Sequence, residues 1–493
     1  MSHLLGASTD LGPSHADDAQ LTAELTGTAR PVDLIGWAGD RGLSVRWNPG
    51  DNWAVVAGDA QDVGDAFGVA VHDYRGLRGQ VFYASPQQPA VPAPLRAAVS
   101  GLGRILGYSP FHESRPAIFP VPTDVPDQGL TPLALRNAYN VAPLTAGGFT
   151  GKGMTVVVFG FDGFDQSDLD TFAGTFNLPR FTPTVVGDMP TQRTGETTMD
   201  LEMVHAIAPD ARKVYVNARP TVSGDGAYEK IAQMLASADQ QFPGAVWSFS
   251  IGWGCDKLLT QADLAPVRSA LVAAQGNGTT AFDASGDLAG LECKGGQDWA
   301  SPPSDDDIGL DAVASLPEMT DVGGTTLSTD NAGGWLAEQS WFDVPLSHGT
   351  GGGVSALFDR PVWQRGVLAD RDRGKRLTPD VAAVADAFTG VKFVFGGNLV
   401  VGGGTSQAAP IWAGIAAVLN QYMLANGGRL LGDLNPLLYR VADVVSTPVF
   451  RDITLGGNAV ESAMQGYDLV TGLGTPDVAT LASRLLIAQA ALR

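Results

Sequence analysis

At 493 residues, with 62 glycines and only 17% charged residues, the chain is too long for one ordinary core and too apolar to be disordered, so two domains are expected. Against 31 basic residues stand 52 acidic ones, a net charge of -21, which argues against nucleic acid or an anionic membrane as a partner and suits work in acid. No apolar run reaches the roughly 18 residues of a membrane span, and the start, Met1 to Asp10, lacks the basic and apolar regions of a signal peptide.

In chain order, residues 1–31 are polar and are expected to form a flexible terminus. From Val32 to Leu106 short apolar runs alternate with turns. Gly42–Trp47 and Trp53–Gly58 read as strands around the turn Asn48-Pro49-Gly50-Asp51, Ala60–Phe67 as a helix and Gln80–Ala84 as a strand. Pro94–Leu102 reads as a helix with a proline start. This small α+β module carries no evident catalytic cluster. A Pro-rich connector follows over 109–129, with Pro110, Pro116, Pro120, Pro122 and Pro126, and is expected to be extended and open to proteolysis.

Beyond it, strands and helices alternate, the pattern of a parallel sheet covered on both faces. Thr155–Phe159, Lys213–Val216, Ala245–Ser250 and Thr280–Ser285 read as buried strands, with helices at Tyr228–Gln241 and Leu264–Gln275. Ligands bind at the carboxyl ends of such strands, so chemistry is sought after Ser250 and Ser285. Cys255 and Cys293 allow one disulfide or two buried thiols, and their spacing excludes a CxxC motif.

Three segments carry chemistry. Gly402-Gly403-Gly404-Thr405-Ser406-Gln407-Ala408-Ala409-Pro410 leads into a small, apolar helical run, so Ser406 sits at a helix N-terminus, where partly positive N–H groups favour a nucleophile whose adduct is an oxyanion. Gly195-Glu196-Thr197-Thr198-Met199-Asp200 places two carboxylates four apart on one helix face. Like charges there oppose the helix by a few tenths of a kcal/mol, unless the pair shares a proton. Ser285-Gly286-Asp287 follows a strand, and a protonated Asp287 is an oxyanion donor. A plain N-cap serine, a solvated helix face and an Asp turn are the bland readings of these segments.

Taken together, Glu196-x-x-x-Asp200, Ser285-Gly286-Asp287 and Gly404-Thr405-Ser406-x-x-x-Pro410 resemble the sedolisin family of serine-carboxyl peptidases. Gly323-Gly324-Thr325, Gly351-Gly352-Gly353-Val354-Ser355 and Pro379-Asp380-Val381-Ala382-Ala383 extend the likeness. The resemblance implies an α/β subtilisin-like fold over 130–493, with Ser406 as nucleophile, Glu196 as general base, Asp200 as its partner and Asp287 as oxyanion donor. It implies a ferredoxin-like inhibitory propeptide over 32–108, with its first strand not evident before residue 32, and maturation by cleavage within 109–129. Arg451-Asp452-Ile453-Thr454 with Gly466-Tyr467-Asp468 resembles the family's single Ca²⁺ site. Side-chain oxygens would come from Asp452 and Asp468, and carbonyls from Ile453, Met464 and Gly466. Met464 stands where the family usually has Gly, so the loop must accept a Cβ.

What is implied is a secreted, monomeric, acid-active endopeptidase of polypeptide substrates, tripeptidyl-peptidase activity being the variant, with its own propeptide as inhibitor. Two rivals are a Ser-His-Asp subtilisin relative, using His348 or His205 with Asp162, and a catalytically silent Ca²⁺-stabilised binding module.

Overall fold

The computed structural model describes residues 1–77, 79–108, 111–113, 119–120, 129–294, 304–343, 348–368, 374–443 and 448–491. Within the Pro-rich connector over 109–129, where maturation is expected, 111–113, 119–120 and 129 are described and the rest lies outside the described residues.

The N-terminal module begins earlier than its sequence pattern implies. Residues 1–31 are not a loose terminus: Ala19–Leu25 is a strand whose alternate side chains are buried. It pairs antiparallel with both Trp53–Gly58 and Val99–Leu102. With Ser44–Arg46 these strands make a four-stranded sheet, and helices Val32–Gly39 and Ala60–Phe67 complete a ferredoxin-like β-α-β-β-α-β order that includes the first strand. The helix expected over Pro94–Leu102 is instead a short 3₁₀ turn, Ala93–Leu95, followed by the edge strand. Pairing with Ala19–Leu25 wins there over local helix propensity.

The large domain is built on an eight-stranded, mostly parallel sheet. Its strands are β1 (Thr155–Gly160), β2 (Thr184–Val186), β3 (Arg212–Asn217), β4 (Val246–Phe249), β5 (Thr280–Ala284), β6 (Thr320–Thr329), β7 (Trp335–Ser340) and β8 (Val381–Val384). The spatial order is β2-β3-β1-β4-β5-β6-β7, with β8 parallel on β6 and β7 the one antiparallel member. β1 is a Val-rich run buried on both faces, as a central parallel strand requires.

Helix α1 (Glu196–Ile207) and helix α4 (Thr405–Ala425) cover one face of the sheet. Helices α2 (Ala227–Gln241) and α3 (Gln261–Gly276) cover the other. Every residue of α1 is buried. The length and apolarity of α4 match those of a membrane span, yet 78% of its apolar window is buried in protein, and it is the central core helix. At Gly414 a Cβ would lie 2.8 Å from Cβ of Ile207, so this glycine sets the close approach of α4 and α1.

The N-terminal sheet docks on α2 and α3. Trp53 and Val55 pack on Ala265, Arg46 pairs with Glu229 at 2.9 Å, and the Arg104 amide donates to Asp263 Oδ1 at 2.8 Å. Cys255 and Cys293 form a disulfide, which settles the open cysteine pairing.

Candidate functional site

Four of the predicted residues meet at the carboxyl end of the sheet. β4 ends at Phe249 and delivers Ser250; β5 ends at Ala284 and delivers Ser285, Gly286 and Asp287. Glu196 opens α1 and Ser406 lies in the first turn of α4, so two helix N-termini point into the same place.

Asp287 is fixed on one side only. Its Oδ1 accepts from Thr405 N at 2.7 Å and from Thr405 Oγ1 at 2.8 Å, and Thr405 Oγ1 in turn accepts from Gly286 N at 3.1 Å. The other oxygen, Oδ2, borders Gly404. A Cβ on Gly404 would stand 2.8 Å from Asp287 Oδ2 and 2.9 Å from Ser406 Oγ, so both atoms border one small space. Gly404 keeps that space open, and its φ of 97° with ψ of 156° is a conformation essentially restricted to glycine.

Glu196 and Asp200 are 6% and 1% exposed, and Ser406 is 1% exposed. Both Glu196 oxygens, Asp200 Oδ2 and Ser406 Oγ have no hydrogen-bond partner among the described residues. Burial pushes both carboxyls well above the ordinary carboxylate range. Repulsion by Asp200, Asp162 and Asp287 adds to the rise at Glu196, and the nearby Ser406 hydroxyl works against it. Two such groups cannot both ionise cheaply, which is the condition for a shared proton.

Pro410 has a readable purpose. Being proline, it offers no N–H to the carbonyl four residues back, which is that of Ser406. That oxygen is taken by Ser250 Oγ at 3.1 Å, and the same hydroxyl lies 2.9 Å from Asp200 Oδ1. Ser250 therefore ties the carboxyl pair to the serine backbone. Its position at a strand end was legible, its partners were not.

Neither histidine joins the site. His205 is fully buried, with Nε2 on Pro179 O at 2.8 Å and Nδ1 on Lys213 Nζ at 2.8 Å. Burial and the neighbouring lysine lower its pKa to about 2. His348 is exposed. Asp162 binds Thr194, Gly195 and Thr197 rather than an imidazole.

The second predicted cluster is one loop pair. Asp452 Oδ2 accepts from Gly466 N at 2.9 Å, and Asp468 accepts from Met464 N at 3.0 Å and from Val470 N and Thr471 N. Among the described residues no hydrogen bond ends on the main-chain oxygens of Ile453, Met464 or Gly466. Met464 is not among the residues with positive φ, so its Cβ is accepted by the backbone there. Two carboxylates and three free carbonyls are a hard-oxygen donor set.

No family model matches the chain. It is 30% identical over 451 residues to kumamolisin of Bacillus sp. (strain MN-32), spanning 86% of this chain and 77% of that one. It is 29% identical to tripeptidyl-peptidase 1 of Mus musculus over 435 residues, 81% and 72% of the two chains. Among solved structures, Pseudomonas sedolisin, a serine-carboxyl proteinase complexed with pseudo-iodotyrostatin, superposes with a TM-score of 0.60 at 25% identity. That match covers 72% of this chain and 97% of the other.

Proposed function

Because the chain belongs to the sedolisin family and is a serine-type peptidase, we propose that it cleaves polypeptides through Ser406, Glu196, Asp200 and Asp287. The observation that carries this reading is the convergence of Asp287 Oδ2 and Ser406 Oγ on the space kept by Gly404, with unpartnered Glu196 beside the serine.

In this reading Glu196 accepts the Ser406 hydroxyl proton as Oγ attacks the scissile carbonyl carbon. Asp200 holds the second proton of the pair and fixes the base, helped by Ser250. The carbonyl oxygen becomes an oxyanion, bound by a protonated Asp287 and favoured by the N-terminus of α4. Collapse passes the proton from Glu196 to the leaving amine and leaves an acyl group on Ser406. Water then repeats the sequence, giving its proton to Glu196 and releasing the acid. Activity needs one negative charge on the pair, so it falls as pH drops through the pair's lower titration step.

The N-terminal module serves as an inhibitory propeptide over 32–108, extended by the strand at Ala19–Leu25, with maturation by cleavage within 109–129. Support comes from its docking on α2 and α3 and from the backbone of residues 112–113, which pairs antiparallel with Ile251 and Gly252 just past Ser250. Strand addition at that edge is how an extended peptide substrate would bind. Asp452, Asp468 and the carbonyls of Ile453, Met464 and Gly466 would hold one Ca²⁺, which would neutralise the two carboxylates there. The disulfide fits a secreted protein in an oxidising compartment. The working form is a monomer.

Hydrolysis of an acid-denatured protein by purified Ser406→Ala and Glu196→Gln tests the assignment. Both should lose activity by at least about 10³-fold, since neither nucleophile nor base can be replaced by an amide or a methyl. Wild-type rates in either variant would end it.

A further inference from the structure

Asp162 lies just past the carboxyl end of β1 and is 3% exposed. Five hydrogen bonds end on its two carboxyl oxygens. Oδ2 accepts from Thr194 N at 2.9 Å, Thr194 Oγ1 at 2.7 Å and Gly195 N at 3.2 Å. Oδ1 accepts from Thr197 N at 3.0 Å and Thr197 Oγ1 at 2.5 Å. Only donors meet it, the pattern of an acceptor-only carboxylate.

The place of these contacts matters. The residue before α1 is Gly195, which has no side chain with which to cap the helix. The first-turn N–H groups still need acceptors, and an anion is the favoured one there. Asp162 supplies it from the loop just past β1, so the end of a central strand fixes where α1 begins. Glu196, the first residue of α1, is thereby fixed too.

The same carboxyl group lies near the catalytic pair, and its repulsion adds to the upward pKa shift of both Glu196 and Asp200. The groups facing the pair from other elements are Asp287 past β5, Ser250 past β4 and Ser406 on α4. Around Asp162 itself, Tyr215 OH on β3 donates to its main-chain oxygen at 2.7 Å, Arg219 Nε donates to Phe161 O at 2.9 Å, and Arg193 lies against Gly163. The two arginines bear on its main-chain surroundings, while its carboxyl oxygens are met by the Thr194–Thr197 turn.

We propose that Asp162 is a positioning residue of the peptidase: its carboxylate seats the first turn of α1 so that Glu196 faces Ser406, and places a fixed negative charge beside the Glu196–Asp200 pair. The proposal rests on Glu196 being the general base, as set out above.

The test is the pH profile of kcat for Asp162→Asn and Asp162→Ser, set beside Thr197→Val and Glu196→Gln. Serine keeps a hydroxyl acceptor at the helix start and guards against a folding failure of the amide variant. Loss of the charge should move the acid limb down by about 0.5–1 pH unit in both neutral variants. Thr197→Val loosens the cap and keeps the charge, so it should lower Tm and kcat but leave the limb in place. An unmoved limb in both Asp162 variants overturns the proposal, and so does an equal shift in Thr197→Val. If Glu196→Gln stays active, the failure lies instead with the base assignment.

Discussion

Adding one methyl group at Gly404 should disable the site without replacing any reacting group. Gly404→Ala forces a Cβ into a backbone conformation with φ of 97° and ψ of 156°, where non-glycine residues carry about 1–3 kcal/mol of strain. The new carbon would also lie 2.8 Å from Asp287 Oδ2 and 2.9 Å from Ser406 Oγ, inside van der Waals distance of both. Either the space for the developing oxyanion is filled, or Asp287 is pushed off Thr405. Both results remove a donor from the oxyanion, which typically costs about 10²–10³ in kcat. Gly414→Ala on the same helix is the control. There the Cβ meets Ile207 at 2.8 Å, an overpacking cost of about 1–3 kcal/mol offset by about 1 kcal/mol of helix propensity. Steady-state kinetics on a peptide substrate, with Tm measured in parallel, separates the two. Gly404→Ala should lose far more kcat than its Tm implies, and Gly414→Ala should not. A Gly404→Ala enzyme with wild-type kcat and Tm would refute the reading of this space as the oxyanion site.

Removing calcium with a chelator should lower Tm and activity together, since a ligand bound only by the native state adds its binding free energy. Asp468→Ala should reproduce the loss, and an unchanged melting curve in excess chelator would count against the ion. Stability should also fall as pH rises. Burial raises Asp256 and Asp263 from 3.8 to about 6 and Asp311 to about 7. Groups raised in the folded state contribute fully below their unfolded value and lose that contribution as pH climbs through the folded one. His205, lowered from 6.5 to about 2, works the other way over the same range. Asp433, likewise raised to about 6, adds to the carboxyls, so they outweigh the one histidine and stability falls between roughly pH 4 and 6. Melting curves across that range that rise with pH would contradict the assignment of these buried carboxyls.

Much of the catalytic half was legible because its signals are local. The Thr155–Gly160 run could only be a buried strand, and three glycines before a small-residue helix placed Ser406 at a helix start. The strand Ala19–Leu25 was missed because its buried positions include Ala19 and Ala23, whose small side chains give the alternation little contrast. Val99–Leu102 read as helix because the Pro start was visible and its strand partner, some 75 residues away, was not. Asp162 and Ser250 show a different limit. Each was visible as a residue, but its partners lie on α1 and α4, and only the strand order brings them together. The same holds for Cys255 and Cys293, whose pairing needed the fold.

The central claim is that Glu196 activates Ser406, and trapping the acyl-enzyme tests it most directly. A peptide ester that deacylates slowly, mixed with enzyme, quenched in acid within the burst and digested, should carry its acyl mass on the peptide containing Ser406. Glu196→Gln should show the adduct at a rate lower by about 10³-fold or more. An adduct on another residue, or acylation of Ser406 at the wild-type rate in Glu196→Gln, would contradict the account.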